Sequence, residues 1–381
     1  TAFSFYERMC HHTLNIMDER AYEFVCRLID EYSSLFRSNL FNINCDETFD
    51  LGKGRGKKLA DQIGSHAMYI QWVNRVCEHV KSLGKRPMFW GDIIAAHPET
   101  IRELPEDIIC MTWDYSLAPG DTNVRKLWEN GAHQYLCPGV QGWNQTIHLL
   151  DIAYENIKKM ASFAHQFDGE GLLTTDWGDY GHLQHPELAL VGIIYGAAFG
   201  WNSKIPEREE INADISVIEY GDRSATLIEI ISEMSNQAVM HWGELVQFSE
   251  TYRYQIAGKD MDTFWKGYLP RIETSLPHIV ECNETIRNDM AKVAALLVQI
   301  EDDRREGIAP VLHMAEGQIL INTILRVLDR EYLGHPDAYT GDTKALAEAL
   351  EIWYYEYRRQ WHKISRESEL YRIGELIFWL A

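Results

Sequence analysis

The sequence is short of several things that would point elsewhere. Its seven cysteines (Cys10, Cys26, Cys45, Cys77, Cys110, Cys137 and Cys282) include no Cys-x-x-Cys pair. A zinc cluster is therefore improbable, and an odd, scattered set gives no disulfide framework. Several sit in apolar patterns, where a reduced cysteine acts as a small hydrophobe, so a reducing, cytoplasmic setting is expected. Basic residues are few, 36 against 57 acidic ones, for a net charge of −21. That balance repels nucleic acid and anionic membrane surfaces and suits neutral or cationic ligands. No run reaches about 18 consecutive apolar residues, the length a membrane span needs. The first residues, Thr1–Arg8, lack the basic segment and apolar run of a signal peptide. There is no low-complexity tract and no repeat of fixed period. At 381 residues, 46% of them apolar, the chain can bury a substantial core.

What is present changes character partway along. The first half alternates short apolar runs with amphipathic stretches. Leu40–Cys45, Pro87–Ile94, Ile108–Trp113, Gln134–Cys137 and Gly171–Thr175 read as buried strands. Helical patterns lie near 20–37, 62–83, 122–130, 147–166 and 187–200. Ala67, Ile70, Val73, Val76, Cys77 and Val80 mark one buried helix face, and Gly84 is placed to end it. Such alternation implies a parallel sheet covered by helices, as in an α/β barrel or a doubly wound fold. From about residue 208 strand signals vanish. Helices are expected over 224–253, 270–302, 309–331, 342–361 and 366–379, with the boundary near Ile205-Pro206. The expected domains are thus 1–205, α/β, and 206–381, all α.

Each apolar run ends in reactive or aromatic residues: Asp46-Glu47, Trp90-Gly91-Asp92, Trp113-Asp114-Tyr115, Trp143-Asn144 and Asp176-Trp177-Gly178-Asp179. In a parallel barrel the C-terminal strand ends share one face, where the active site sits. Aromatic faces stack on the C–H face of a sugar, and carboxylates hydrogen-bond its hydroxyls. One strand-end Trp is usually packing; a repeat on four strand units is hard to explain as core. Asp46 and Glu47 are neighbours, and consecutive strand residues point to opposite faces, so they share a site only where the strand bends. Two carboxylates held close do not both ionise easily, which keeps one available as an acid near neutral pH.

Phe41-Asn42-Ile43-Asn44-Cys45-Asp46-Glu47-Thr48 resembles the Asp-Glu signature of family 20 glycoside hydrolases, the β-N-acetylhexosaminidases. Met88–Asp92 is similar to that family's fifth barrel strand, Met111–Trp113 to its sixth, Trp143 to the tryptophan after its seventh, and Trp177–Asp179 to the Trp-x-Glu of its eighth. The resemblance covers roughly residues 20–200. It implies a (β/α)8 TIM barrel of which strands 4–8 are in this chain, followed by an all-α domain. It implies an exo-acting hydrolase of terminal β-linked GlcNAc or GalNAc that needs no cofactor and no metal. Its mechanism is substrate-assisted: Glu47 is the acid/base, and Asp46 orients the 2-acetamido group. Trp90, Trp113 and Trp177 wall the sugar, Trp143 adds a further contact, and Asp179 binds outer hydroxyls.

Two departures stand out. The family's Tyr-x-Asp on the seventh strand is replaced by Gln134–Gly139, leaving Tyr115 as a candidate for the tyrosine's role, and Asp179 stands one methylene short of the usual Glu. Strands one to three are expected before Thr1, in a separate chain, removed by cleavage or otherwise missing. A homodimer is a further partner expectation. The competing reading is a non-catalytic carbohydrate-binding protein that kept the pocket; a metal-dependent barrel hydrolase is a third. Gly52–Lys58 fails as a phosphate loop, because its glycine spacing is wrong and no Ser or Thr follows the lysine, and reads as a flexible basic loop. His11-His12 reads as locally polar. His182 and His185 border the last strand loop, and the Trp353–Trp361 aromatics read as packing or a dimer contact.

Overall fold

The computed structural model describes residues 13–202, 204–254, 260–367 and 370–381. Cys10, His11 and His12 lie outside the described residues. The chain groups into two compact units, Thr1–Pro138 with Lys158–Leu173, and Gly139–Ile157 with Thr174–Ala381.

The first unit is built on a parallel sheet whose five strands lie side by side in chain order. They are β1 (Leu40–Asn42), β2 (Arg86–Trp90), β3 (Ile109–Trp113), β4 (His133–Cys137) and β5 (Gly171–Leu172). Parallel neighbours need a crossover, and helices supply it. The crossovers include α2 (Lys57–Ile63) and α3 (Ser65–Ser82), then α5 (Thr122–Glu129) and α6 (Leu150–Gln166), while α1 (Glu19–Ser33) precedes β1. Asp18 caps α1 by accepting the Arg20 backbone N–H. The helix expected over 62–83 is α3, which begins at Ser65 because Gly64 turns the backbone to φ 85° and separates it from α2. Gly84, with φ 73°, follows α3 and stops it as the sequence suggests.

Buried Tyr69, Ile70, Val73 and Cys77 from α3 pack with Phe89 and Cys110 from the sheet. This is the apolar stripe that the 3–4 spacing marks. Val124, Leu136, Met160, Phe163 and Phe167 form a second core. At the N-terminal end of the strands Arg86 grips Glu170 through two hydrogen bonds of 2.7 and 2.9 Å, and His133 also contacts that carboxylate. The opposite end of the sheet is left to the candidate site.

Three strands are shorter than their apolar runs. β1 stops at Asn42 rather than Cys45, because Asn44 and Cys45 adopt φ 61° and 72°. β2 stops at Trp90, and Asp92–Ala95 coil into one helical turn, α4. β5 stops at Leu172, and Thr175 makes only an isolated parallel bridge to Gly139.

The second unit takes in the start of α6, and its helices after Thr174 include α7 (Leu190–Trp201), α8 (Arg208–Ile218), α9 (Leu227–Ser235), α10 (Trp242–Tyr254), α11 (Met261–Ile272), α12 (Ile279–Leu297), α13 (Asp302–Leu328), α14 (Thr343–Ile364) and α15 (Leu370–Leu380). The helix expected over 224–253 breaks between Ser235 and Trp242. The 270–302 pattern divides between α11 and α12. Arg304–Leu333 is long and apolar enough to cross a membrane by length and composition, yet 72% of its apolar 18-residue window is buried inside the protein, as in a core helix. Trp353, Tyr354, Tyr357 and Trp361 are buried as packing, while Tyr355 on the same helix is exposed.

Candidate active site

In the first unit the Asp46–Glu47 pair lies just past the C-terminal end of β1. The ladder outlasts the strand: the Ile43 N–H donates to the Met88 carbonyl at 2.8 Å, and the Trp90 N–H to the Asn44 carbonyl at 3.0 Å. The backbone then turns sharply, with left-handed φ at Asn44, Cys45 and Glu47 (46° at Glu47). Left-handed backbone is costly for residues with a Cβ and persists only where surroundings enforce it. This is the bend that lets neighbouring residues leave the strict alternation of a strand. Both carboxylates are half-buried.

Asp92 enforces part of the bend. Its Oδ2 accepts the Glu47 backbone N–H at 2.9 Å, 45 residues away in the chain. Its Oδ1 is buried with no hydrogen-bond partner among the described residues. Burial pushes the Asp92 pKa up, the Glu47 N–H offsets part of that, and the nearby Asp46 charge adds to the rise. Gly91 permits this approach, since a Cβ there would lie 2.6 Å from Cys110 Sγ. Sequence reasoning placed Asp92 at a strand end and gave it no role. The available signal was the glycine before it, a residue type that marks close backbone contact.

Beneath the bend Cys45, Tyr69 and Cys110 are crowded and apolar. Burial raises the Cys45 thiol to about 12 and the Cys110 thiol to about 12, so neither is a nucleophile at neutral pH. Trp113 and Tyr115 stack with ring centroids 5.2 Å apart and planes 15° from parallel, a flat aromatic surface past β3. Asp114 is held in a turn by Ser116, whose N–H and hydroxyl donate to its Oδ1 at 2.9 and 2.7 Å. Trp90 is buried. A cavity of about 730 Å³ runs along β1. Its lining takes in Asp46, Thr48, Tyr69 and Trp72 but not Glu47, Trp90, Trp113 or Tyr115. Lys57 and Lys58, read as part of a basic loop, begin α2, and Lys57 pairs with Asp61 at 2.9 Å.

In the second unit Trp143 sits in a turn between Gln141 and Asn144, both with left-handed φ (60° and 64°). Trp177 and Asp179 lie on the segment 176–185, where Tyr180, Gly181 and His182 have φ 51°, 96° and 58°. Trp177 is half-buried, and its carbonyl accepts from the Gln184 side chain. His148 is buried, 3.8 Å from the Asp176 carboxylate. Among the described residues no group of three His, Cys, Asp or Glu side chains could hold a metal ion.

Residues 2–161 match the glycosyl hydrolase family 20 catalytic domain. Among solved structures, the chain is similar to a family 20 exo-β-N-acetylglucosaminidase from Vibrio harveyi, as an inactive mutant (14% identity, TM-score 0.37) and in complex with N-acetylglucosamine (12% identity, TM-score 0.37). Each comparison covers 55% of this chain and 35% of the Vibrio chain, so the chain spans about a third of that enzyme's length. Asp46, Glu47 and Asp92 all fall within the residues that match the glycosyl hydrolase family 20 catalytic domain.

Proposed function

We propose that the chain is the later part of an exo-β-N-acetylhexosaminidase, acting on terminal, non-reducing β-linked GlcNAc or GalNAc. The observation that carries this reading is the half-buried Asp46–Glu47 pair on a bent strand end inside the matched segment. In the first step Glu47 gives a proton to the glycosidic oxygen as its bond to C1 breaks. The substrate's acetamido oxygen forms the new bond to C1, giving an oxazolinium ion. Asp46 accepts the acetamido N–H and balances the positive charge. In the second step the Glu47 carboxylate takes a proton from water as that water attacks C1 and the bond from C1 to the acetamido oxygen breaks, and the sugar leaves with its configuration retained. Trp90, Trp113, Tyr115, Trp143 and Trp177 are the proposed sugar contacts, and Asp179 the proposed acceptor from outer hydroxyls.

The five strands are proposed as strands 4–8 of a (β/α)8 barrel, with 1–205 as its later part and 206–381 as a helical domain. Among the described residues nothing pairs with the outer edge of β1, and the apolar cavity lies along that strand. An unpaired edge of this kind invites another strand. The proposed partner there is the earlier part of the barrel, in the same polypeptide or a separate one.

The test is inhibition by a thiazoline analogue of the oxazolinium ion, with a chromogenic N-acetyl-β-D-glucosaminide as substrate. Tight competitive inhibition supports both substrate class and mechanism. Turnover that ignores the thiazoline but stops with a chelator would instead indicate a metal-dependent hydrolase. Binding without turnover would indicate a carbohydrate-binding protein.

A further inference from the structure

The two loops of the second unit that carry proposed sugar contacts are both fastened by the C-terminal helices. On the segment 176–185, the indole N–H of Trp242 on α10 donates to the Tyr180 carbonyl at 2.9 Å. The Gln247 amide, also on α10, reaches the Tyr180 hydroxyl at 3.3 Å. From α14 the Tyr357 hydroxyl donates to the Leu183 carbonyl at 3.0 Å and lies 3.4 Å from that of His182. The Trp361 ring meets the His182 ring edge-on at 5.7 Å. On the segment 139–149, Thr146 donates to Gln318 of α13 at 2.7 Å. Gln318 in turn holds the Met240 carbonyl at 2.9 Å. Asn144 packs on Gly243 so closely that a Cβ there would lie 3.0 Å from its side chain.

Trp242, Gln318 and Tyr357 are themselves buried, so their polar atoms are fixed in direction. The loops they hold are of the kind that does not keep its shape alone. Tyr180, Gly181 and His182 run consecutively through left-handed backbone, where two of the three carry a Cβ. Gln141 and Asn144 bracket Trp143 in the same way. Loops of this length are ordinarily mobile unless a scaffold orders them. Contacts also place residues 139–157 and 174–381 in one compact unit.

We infer that the C-terminal helices are a mould for the two sugar-contact loops: Trp242, Gln318 and Tyr357 are positioning residues that set the conformations from which Trp143, Trp177 and Asp179 act. What those loops bind rests on the proposed hexosaminidase reading; that the helices shape them does not. The helical part is therefore a component of the site's precision rather than an appended module.

The experiment compares the full chain with Tyr357→Phe, Trp242→Phe and Gln247→Leu. The last removes one bond at an exposed position and keeps the test available if a core variant fails to fold. Amide hydrogen exchange is read for 177–185 and for strands β1–β5, and KM and kcat are read on an N-acetylglucosaminide. Losing one hydrogen bond is expected to speed exchange in the loop about fivefold and to raise KM by a similar factor, with kcat within about twofold and sheet exchange unchanged. In an Asp179→Asn background, Tyr357→Phe is expected to add little to KM, because both act through one loop. Unchanged loop exchange in all three variants overturns the inference, as does faster loop exchange with unaltered KM. A parent chain with no turnover once the earlier part of the barrel is supplied refutes the hexosaminidase reading alone, and the exchange data still decide whether the helices shape the loop.

Discussion

Glu47→Gln is expected to lower kcat on a 4-nitrophenyl N-acetylglucosaminide by about a thousandfold, within the range general acid–base catalysis supplies. The substitution keeps shape and volume but removes a transferable proton and a carboxylate able to take one from water. KM should change little, because the proposed role is proton transfer rather than sugar binding. A leaving group that needs no proton distinguishes this role from simple damage. With a glycosyl fluoride the bond-breaking step should be nearly normal in Glu47→Gln, and the defect should move to hydrolysis of the intermediate. Loss of the same size with every leaving group would contradict the assignment.

Asp92→Ala should lower kcat by about a hundredfold, the order associated with displacing a catalytic group by about 1 Å. Asp92 touches no proposed substrate atom. It acts by accepting the Glu47 N–H at 2.9 Å and so pinning a residue with left-handed backbone. Asp92→Asn keeps an acceptor oxygen and should recover most of the loss, leaving activity within about tenfold of the parent. Stability against pH separates the parent from both variants, neither of which titrates at position 92. Burial raises the Asp92 pKa, so the folded chain holds that proton more tightly than the unfolded one. Its contribution is therefore fully present below the ordinary aspartate pKa, about 3.9, and is lost as pH rises through the higher folded value. Unfolding measured across the acid range should show this loss in the parent and not in Asp92→Asn. The charge that bears on it is that of Asp46 at the end of β1; Cys45, Tyr69 and Cys110, raised far above the acid range, stay neutral there.

Much of the α/β unit was legible because its signals are local. Continuous apolar runs such as Ile109–Met111 and the spaced face of α3 depend only on which side chains are buried. The ends of those elements were not legible. Ile93 and Ile94 continue the apolar run of β2 and look like strand, yet the backbone has already turned at Gly91 to bring Asp92 under Glu47. Left-handed φ at Cys45 and Glu47 has no composition signal, and Asn44 beside them gives only a weak one, since none is glycine. Likewise Asn236–His241 contains neither Gly nor Pro, and the break there is made by distant residues. The Asn322 side chain accepts the Val239 N–H at 3.1 Å, and Gln318 donates to the Met240 carbonyl. Tertiary partners of this kind override a continuous helical pattern. The Asp-Glu pair and the aromatic strand ends were visible as residue types; Asp92's hold on Glu47 and the helices' hold on the Trp177 loop were visible only in three dimensions.

The central claim is that the sugar's own acetamido oxygen attacks C1 while Asp46 and Glu47 assist. Its most direct test is a series of 4-nitrophenyl N-acetyl-β-D-glucosaminides carrying zero to three fluorines on the acetyl methyl. Each fluorine withdraws electrons from the carbonyl oxygen without greatly changing its size. The account predicts that kcat/KM falls steeply and monotonically along the series. A flat dependence would contradict it, because a protein nucleophile or an activated water does not depend on that oxygen.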